Sequence, residues 1–170
     1  MSSLQKRLGR LPDERPLLAL ALSILVVELV GASGSVFTVQ GLGTWYDSLV
    51  RPAIAPPNWV FGPVWTTLFA LMGVALWLVW QQVDAKSAAV RVAIVVFAVH
   101  FAFNLGWSAA FFGMRAIGLG LAVIAVLWAL IVATIWTFAR VDRRAALLLV
   151  PYLVWVSFAA YLNYQFWVLN

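Results

Sequence analysis

Residues 116–139, AIGLGLAVIAVLWALIVATIWTFA, contain no charged side chain and form one continuous apolar run. A helix rises about 1.5 Å per residue, so roughly 20 apolar residues cross about 30 Å of hydrocarbon. Strands of a membrane barrel would alternate apolar and polar positions, and VLWALIVATIWTF, residues 126–138, does not. On either side of this run, windows 52–83, 92–114 and 145–170 are equally free of charge, and 16–46 holds only Glu28. Each window is long enough for one crossing and none comfortably for two. The expectation is an all-α integral membrane protein, a bundle of five transmembrane helices near 17–38, 58–81, 90–111, 117–139 and 146–167. They form one domain, 17–170, preceded by a polar arm, 1–16, that leads into a retained helix rather than a cleaved signal peptide.

Composition agrees with a lipid environment. Of 170 residues, 65% are apolar and 10% charged, too few polar groups to cover a soluble domain of this size. With no cysteine, disulfides, iron–sulfur clusters and thiolate zinc sites are excluded. The net charge of +5 does not point to nucleic acid, because the basic residues occupy the gaps between apolar runs and leave no basic stripe. Lys6, Arg7, Arg10, Arg15, Lys86, Arg91, Arg140, Arg143 and Arg144 fall on one side of the five spans, and only Arg51 and Arg115 on the other. That asymmetry places the amino terminus in the cytoplasm and the carboxyl terminus outside. The expected location is a prokaryotic cell membrane, crossed several times.

The first connection, GLGTWYDSLVRPAIAPPN (41–58), carries three prolines and a Gly-x-Gly that forbid a continuous helix, so it is expected to form a lid over the outer face. Asn58 is the expected N-cap of helix two, Pro63 falls in its early turns, and Pro151 should bend helix five.

Ten tryptophans need an account. An aromatic belt at the membrane interfaces covers Trp45, Trp59, Trp77, Trp80, Trp136 and Trp167, which lie near segment ends. Trp128 is assigned to helix packing. Trp65, Trp107 and Trp155 remain, and the segments of the last two supply asparagines as acceptors for an indole N–H. His100, Asn104, Trp107 and Ser108 share one helix face at spacings of four and three. Helix five repeats the theme with Trp155, Ala159 and Asn163, where small Ala159 and Ala160 leave room for a ring system. A mid-membrane amide is costly unless paired, and pairing across helices explains these asparagines as well as a ligand does.

Glu28 is the only charge inside a span. An acid there suggests an ion pathway or counter-ion. The competing reading, favoured here, is a protonated carboxyl bonded to a neighbouring helix, with Gly31 and Gly34 allowing close approach. Both lysines lie outside the spans, so no retinal Schiff base is available, and a single histidine cannot supply two axial haem ligands. No metal-ligand cluster and no Ser/His/Asp constellation emerges, so no metal site and no firm catalytic residue is assigned.

The order of three stretches says more. WYDSLVRPAIAPPNWVFGPVWTTLFALMGVALWLVW (45–80), FAFNLGWSAAFFG (101–113) and PYLVWVSFAAYLN (151–163) together resemble the TspO family, the tryptophan-rich sensory or translocator proteins also called peripheral-type benzodiazepine receptors. The resemblance implies a five-helix fold, often homodimeric, that binds porphyrins, haem-like tetrapyrroles and isoquinoline-type drugs in a pocket opening toward the first loop. It places Trp65, Asn104, Trp107 and Trp155 in that pocket, with Phe69 where a tyrosine is frequent and Ala159 beside Trp155. A porphyrin or haem-like tetrapyrrole is then the expected ligand, with no cofactor required. Some family members are reported to degrade porphyrin in light, and the tryptophans matching Trp65 and Trp155 are implicated. Two departures stand out: Ile54 occupies an aromatic position of the family's first-loop pattern, and Phe69 lacks the hydroxyl of the frequent tyrosine; in addition no Lys or Arg follows Arg144, so the sterol motif of the animal proteins is not supported.

The leading expectation is therefore a membrane receptor, sensor or transporter for tetrapyrroles and similar flat apolar ligands. Light-dependent porphyrin degradation at Trp65 and Trp155, or proton-coupled export through Glu28, are the alternatives. Ala89-xxx-Ala93 and Ala98-xxx-Ala102 mark helix three as the expected homodimer contact.

Overall fold

The computed structural model describes residues 11–43 and 45–170. Most of the expected arm, with Lys6, Arg7 and Arg10, and Thr44 of the lid lie outside the described residues. Among the described residues, five helices are long and apolar enough to cross a membrane: α1 (Pro16–Gly41), α2 (Asn58–Trp80), α3 (Ser87–Gly113), α4 (Ile117–Val141) and α5 (Arg143–Leu169). This is an integral, multi-pass membrane protein. The five expected spans are all present, with most ends running a few residues further than the apolar windows suggested.

α1 packs along α2, α3 along α4, and α4 along α5, while the start of α5 rests on α2. Between membrane helices the hydrophobic effect is weak, so close packing and polar contacts decide which faces meet. Gly73 shows this for α1 and α2. A Cβ there would stand 2.5 Å from Ile24 Cα, and Ser23 Oγ donates to the Gly73 carbonyl at 2.8 Å. In the α3–α4 seam Thr134 Oγ1 donates to the Leu130 carbonyl (2.8 Å), which leaves its oxygen to accept from His100 Nδ1–H at 3.1 Å.

Helix irregularities occur where the sequence invites them. α1 has a break at Gly34, between helical Pro16–Ser33 and Ser35–Gly41. α3 ends in a π turn, Ala109–Gly113, on the side of the first loop. α5 is interrupted at Leu149, and helix resumes at Val150 with Pro151 in the first turn, where its missing N–H costs least. Asn58, the expected N-cap, instead begins a 3₁₀ turn, and no side chain caps that turn. On the opposite side of the bundle the Lys86 ammonium donates to the Val141 carbonyl (2.8 Å), closing the end of α4. Asp142 caps α5 through Arg144 N (2.8 Å), and the Arg144 guanidinium holds its carboxyl below the usual carboxylate range.

Two expectations change once helix faces are visible. Trp77 does not turn outward as a belt residue would, since it packs on the core with its indole N–H buried, while Trp45 is half-buried and lies edge-on to Phe111 at 5.6 Å. Trp59, Trp136 and Trp167 do point outward. On α3, Ala93 is fully buried within the chain and Ala89 partly so, leaving Ala98 and Ala102 as the outward pair. The Ala89–Ala93 face is used against this chain's own core.

Candidate ligand cavity

Between α1, α2 and α3, beneath the first loop, lies a cavity of about 280 Å³. Its depth follows from residue order along the three helices. Glu28 of α1, Phe69 of α2 and Asn104 of α3 form the floor. Leu42, Tyr46 and Asn58 close the mouth, with Trp65, Thr66, Trp107 and Ser108 on the walls between. The volume is close to the lower end of the roughly 300–1,000 Å³ usual for small-molecule sites, and an apolar wall with a few placed polar groups is their usual chemistry.

The aromatic wall is built outward from α2. Trp65 and Phe69, four residues apart, bring their rings to 5.3 Å, and Phe69 meets Phe101 edge-on at 5.8 Å. Gly31 is what lets Phe69 lie against α1, since a Cβ there would stand 2.5 Å from the ring. Across the cavity Trp107 stacks on Phe111 at 5.5 Å, and Phe112, presented by the π turn, stands edge-on to it at 5.9 Å.

Both asparagines pair across helices, and Asn104 also faces the cavity. Asn104 Nδ2 donates to the Tyr152 hydroxyl (3.0 Å), joining α3 to α5, while the residue still lines the floor. Asn163 is interhelical: its Oδ1 accepts from Trp107 Nε1 (3.0 Å) and its Nδ2 donates to the Ile117 carbonyl (3.0 Å). Trp107 is thus held by its indole N–H and presents its ring to the cavity.

The lid is tied down near its middle and braced within itself. Asn170 Oδ1 accepts from Val50 N (2.8 Å) and Asn170 Nδ2 donates to the Val50 carbonyl (3.2 Å), fixing the loop to the end of α5. The Arg51 guanidinium donates to the Pro56 carbonyl (3.0 Å) and stands 5.6 Å from the Tyr46 ring. Burial pushes the Tyr46 hydroxyl above its ordinary range, Arg51 opposing and Asp47 adding to the rise, so it is a neutral phenol at the mouth. Ile54, at the departure from the family's pattern, is exposed on the lid.

Of the six residues assigned to ligand binding, the cavity brings together Trp65, Phe69, Asn104 and Trp107. Ala159 lines a separate hollow of about 30 Å³ beside Trp107 and Asn163. Trp155 is in neither: its ring lies edge-on to Phe61 at 5.9 Å and tilts against Phe158 at 5.5 Å, with its indole N–H buried and unpaired. Phe61 therefore stands between Trp155 and the cavity. Glu28, read from sequence as a helix-to-helix contact, belongs to the floor, and none of the hydrogen bonds found among the described residues engages it. Tyr46 and Phe112 were not singled out at all. The lid's proline content signals a structured loop but not which of its side chains turns inward.

An all-helical, multi-pass membrane protein with an aromatic-walled cavity under its first loop is the class these features define. The TspO/MBR family model matches residues 23–168, and the chain belongs to that family. It is 49% identical over 156 residues to the tryptophan-rich protein TspO of Chlorobaculum tepidum, covering 92% of this chain and 98% of that one. It is 36% identical over 150 residues to the tryptophan-rich sensory protein of Cereibacter sphaeroides, covering 88% and 92%. To the human translocator protein it is 38% identical over 130 residues, covering 76% and 77%.

Proposed function

We propose that this protein is a membrane receptor, sensory or transport protein whose cavity binds tetrapyrroles and similar flat aromatic ligands. The observation that carries the reading is the facing of Trp65 and Phe69 on α2 by Trp107 on α3 across a cavity with Asn104 at its floor. Such walls favour a planar ring system by offset or edge-on stacking, and the single amide fixes orientation rather than supplying chemistry. Binding is measured by quenching of porphyrin fluorescence on titration with the detergent-solubilised protein. A saturable, one-site curve lost in Trp65→Ala supports the reading, and unchanged quenching in that variant refutes it.

Light-dependent porphyrin degradation is kept as a second reading because the oxidisable Trp65 indole lies on the cavity wall. Trp65→Phe separates the two. It retains most of the apolar surface, so binding persists, while porphyrin loss under illumination falls if the indole is consumed.

The outer face of this reading is the lid, with the amino terminus cytoplasmic. Ser48 of the lid and Ser87 at the start of α3 are both exposed, and the chain has no cysteine. In intact cells, Ser48→Cys is expected to react with an impermeant maleimide and Ser87→Cys to be protected; the reverse pattern inverts the topology. A homodimer through α3 would use its outward pair, so Ala98→Leu with Ala102→Leu is expected to abolish dimer cross-linking in membranes. Unchanged cross-linking places the contact elsewhere.

A further inference from the structure

We propose that Glu28 makes the cavity selective for flat aromatic ligands that carry a protonated nitrogen on their inner edge; this rests on the reading of the cavity as a ligand site. Glu28 lies at the middle of α1, roughly 18 Å of helix from either end, too far for its carboxyl to reach the headgroup region. An acid at that depth is costly unless something pairs with it. The usual compensations are missing among the described residues. The only ion pair there is Arg144 with Asp142, and no hydrogen bond engages Glu28. No Lys, Arg or His lines the cavity that Glu28 enters.

The neighbours of Glu28 leave it open to a ligand. Gly31, one turn on, adds no side chain over it, and Phe69 shares the floor as a ring face. The one polar neighbour there, Asn104, gives one amide hydrogen to Tyr152, and no hydrogen bond found among the described residues joins it to Glu28. At the opposite end of the cavity the Arg51 guanidinium lies against the ring of Tyr46, which lines the mouth. The cavity lining thus carries one acid, at the floor, and no cation, since Arg51 lies against the Tyr46 ring and is not among the lining residues. A ligand cation at the floor faces Glu28 in surroundings of low dielectric, where the attraction is far stronger than in water. A ligand carboxylate placed there is repelled.

Three probes with the same tricyclic body separate charge from shape: 9-aminoacridine, cationic at neutral pH, its neutral isostere 9-aminoanthracene, and anthracene-9-carboxylate. Their fluorescence is titrated with the full chain in a non-ionic detergent. The cation is expected to bind about tenfold more tightly than the neutral isostere and the carboxylate more weakly than either. In Glu28→Gln, which keeps the size and polarity of the side chain, the preference should shrink to within about threefold while affinity for the neutral probe holds. That retained affinity also shows the cavity intact. Equal affinities in the wild-type chain, or a preference that survives Glu28→Gln, overturn the assignment to Glu28 and leave the ligand cavity standing. Failure of all three probes to bind overturns the cavity reading as well.

Discussion

Trp65→Ala is expected to weaken porphyrin binding well beyond tenfold. A buried aromatic side chain contributes roughly 150–250 Å² of contact, and if about a third of that meets the ligand the area term is near 2 kcal/mol. Stacking adds about 0.5–1.5 kcal/mol, for a sum near a hundredfold in affinity. A ligand arriving from a micelle has already left water, so the area term shrinks; with about half of it retained the sum is near 2 kcal/mol, about thirtyfold. Trp155→Ala is expected to do less, because Phe61 stands between that indole and the cavity. Trp128→Ala should leave affinity unchanged: its ring is 42% exposed on the outer face of α4 and its N–H donates to Ser157 Oγ at 2.8 Å. Fluorescence quenching on all three variants checks the ranking, and equal losses would mean that the tryptophans act through general stability.

The second large effect is on the fold itself. Gly73→Ala is expected to destabilise the chain by about 1–3 kcal/mol, although alanine is the better helix former by about 1 kcal/mol. The added Cβ would stand 2.5 Å from Ile24 Cα, which is backbone and cannot turn aside, so α1 must move outward and the Ser23–Gly73 hydrogen bond stretches. Because α1 carries Glu28 and Gly31 on the cavity wall, binding should weaken with it. Gly106→Ala on α3 is the matched control, since nothing lies within 4 Å of a Cβ there. Thermal unfolding in detergent should show a fall of several degrees for Gly73→Ala and no fall for Gly106→Ala.

Much of the fold was legible because lipid imposes a simple rule. An apolar window of sufficient length with no charge, or with one as in 16–46, has to cross as a helix, and all five windows do. Prolines 52, 56 and 57 likewise marked the lid. The motif order from Trp45 onward carried the family, and the match extends back to residue 23, into a helix whose leucines and valines say little by themselves.

What the sequence withheld was rotation. In a helix that is apolar all round, spacing shows which residues share a face but not what that face meets. Ala89 and Ala93 share one, as expected, yet it turns into the chain's own core. Trp77 lies near a segment end, as a belt residue should, but points inward. Trp155 and Ala159 lie one turn apart and each falls behind other aromatics, outside the main cavity. Glu28 could be located to mid-membrane from sequence, but that it has no partner among the described residues required the packing of α1 against α2 and α3. Asn104 was the clearest signal, because an amide at that depth must be satisfied whichever role it has.

The most direct test of the central claim, that the cavity under the first loop holds the ligand, uses the cysteine-free background. Thr66 and Ser108 line the cavity from α2 and α3, and Ser87 lies at the far end of α3. Maleimide labelling of Thr66→Cys and Ser108→Cys is measured with and without saturating porphyrin, Ser87→Cys serving as control. The account predicts that porphyrin slows labelling at both cavity positions and leaves Ser87→Cys unchanged. Bound porphyrin that protects neither Thr66→Cys nor Ser108→Cys would contradict it.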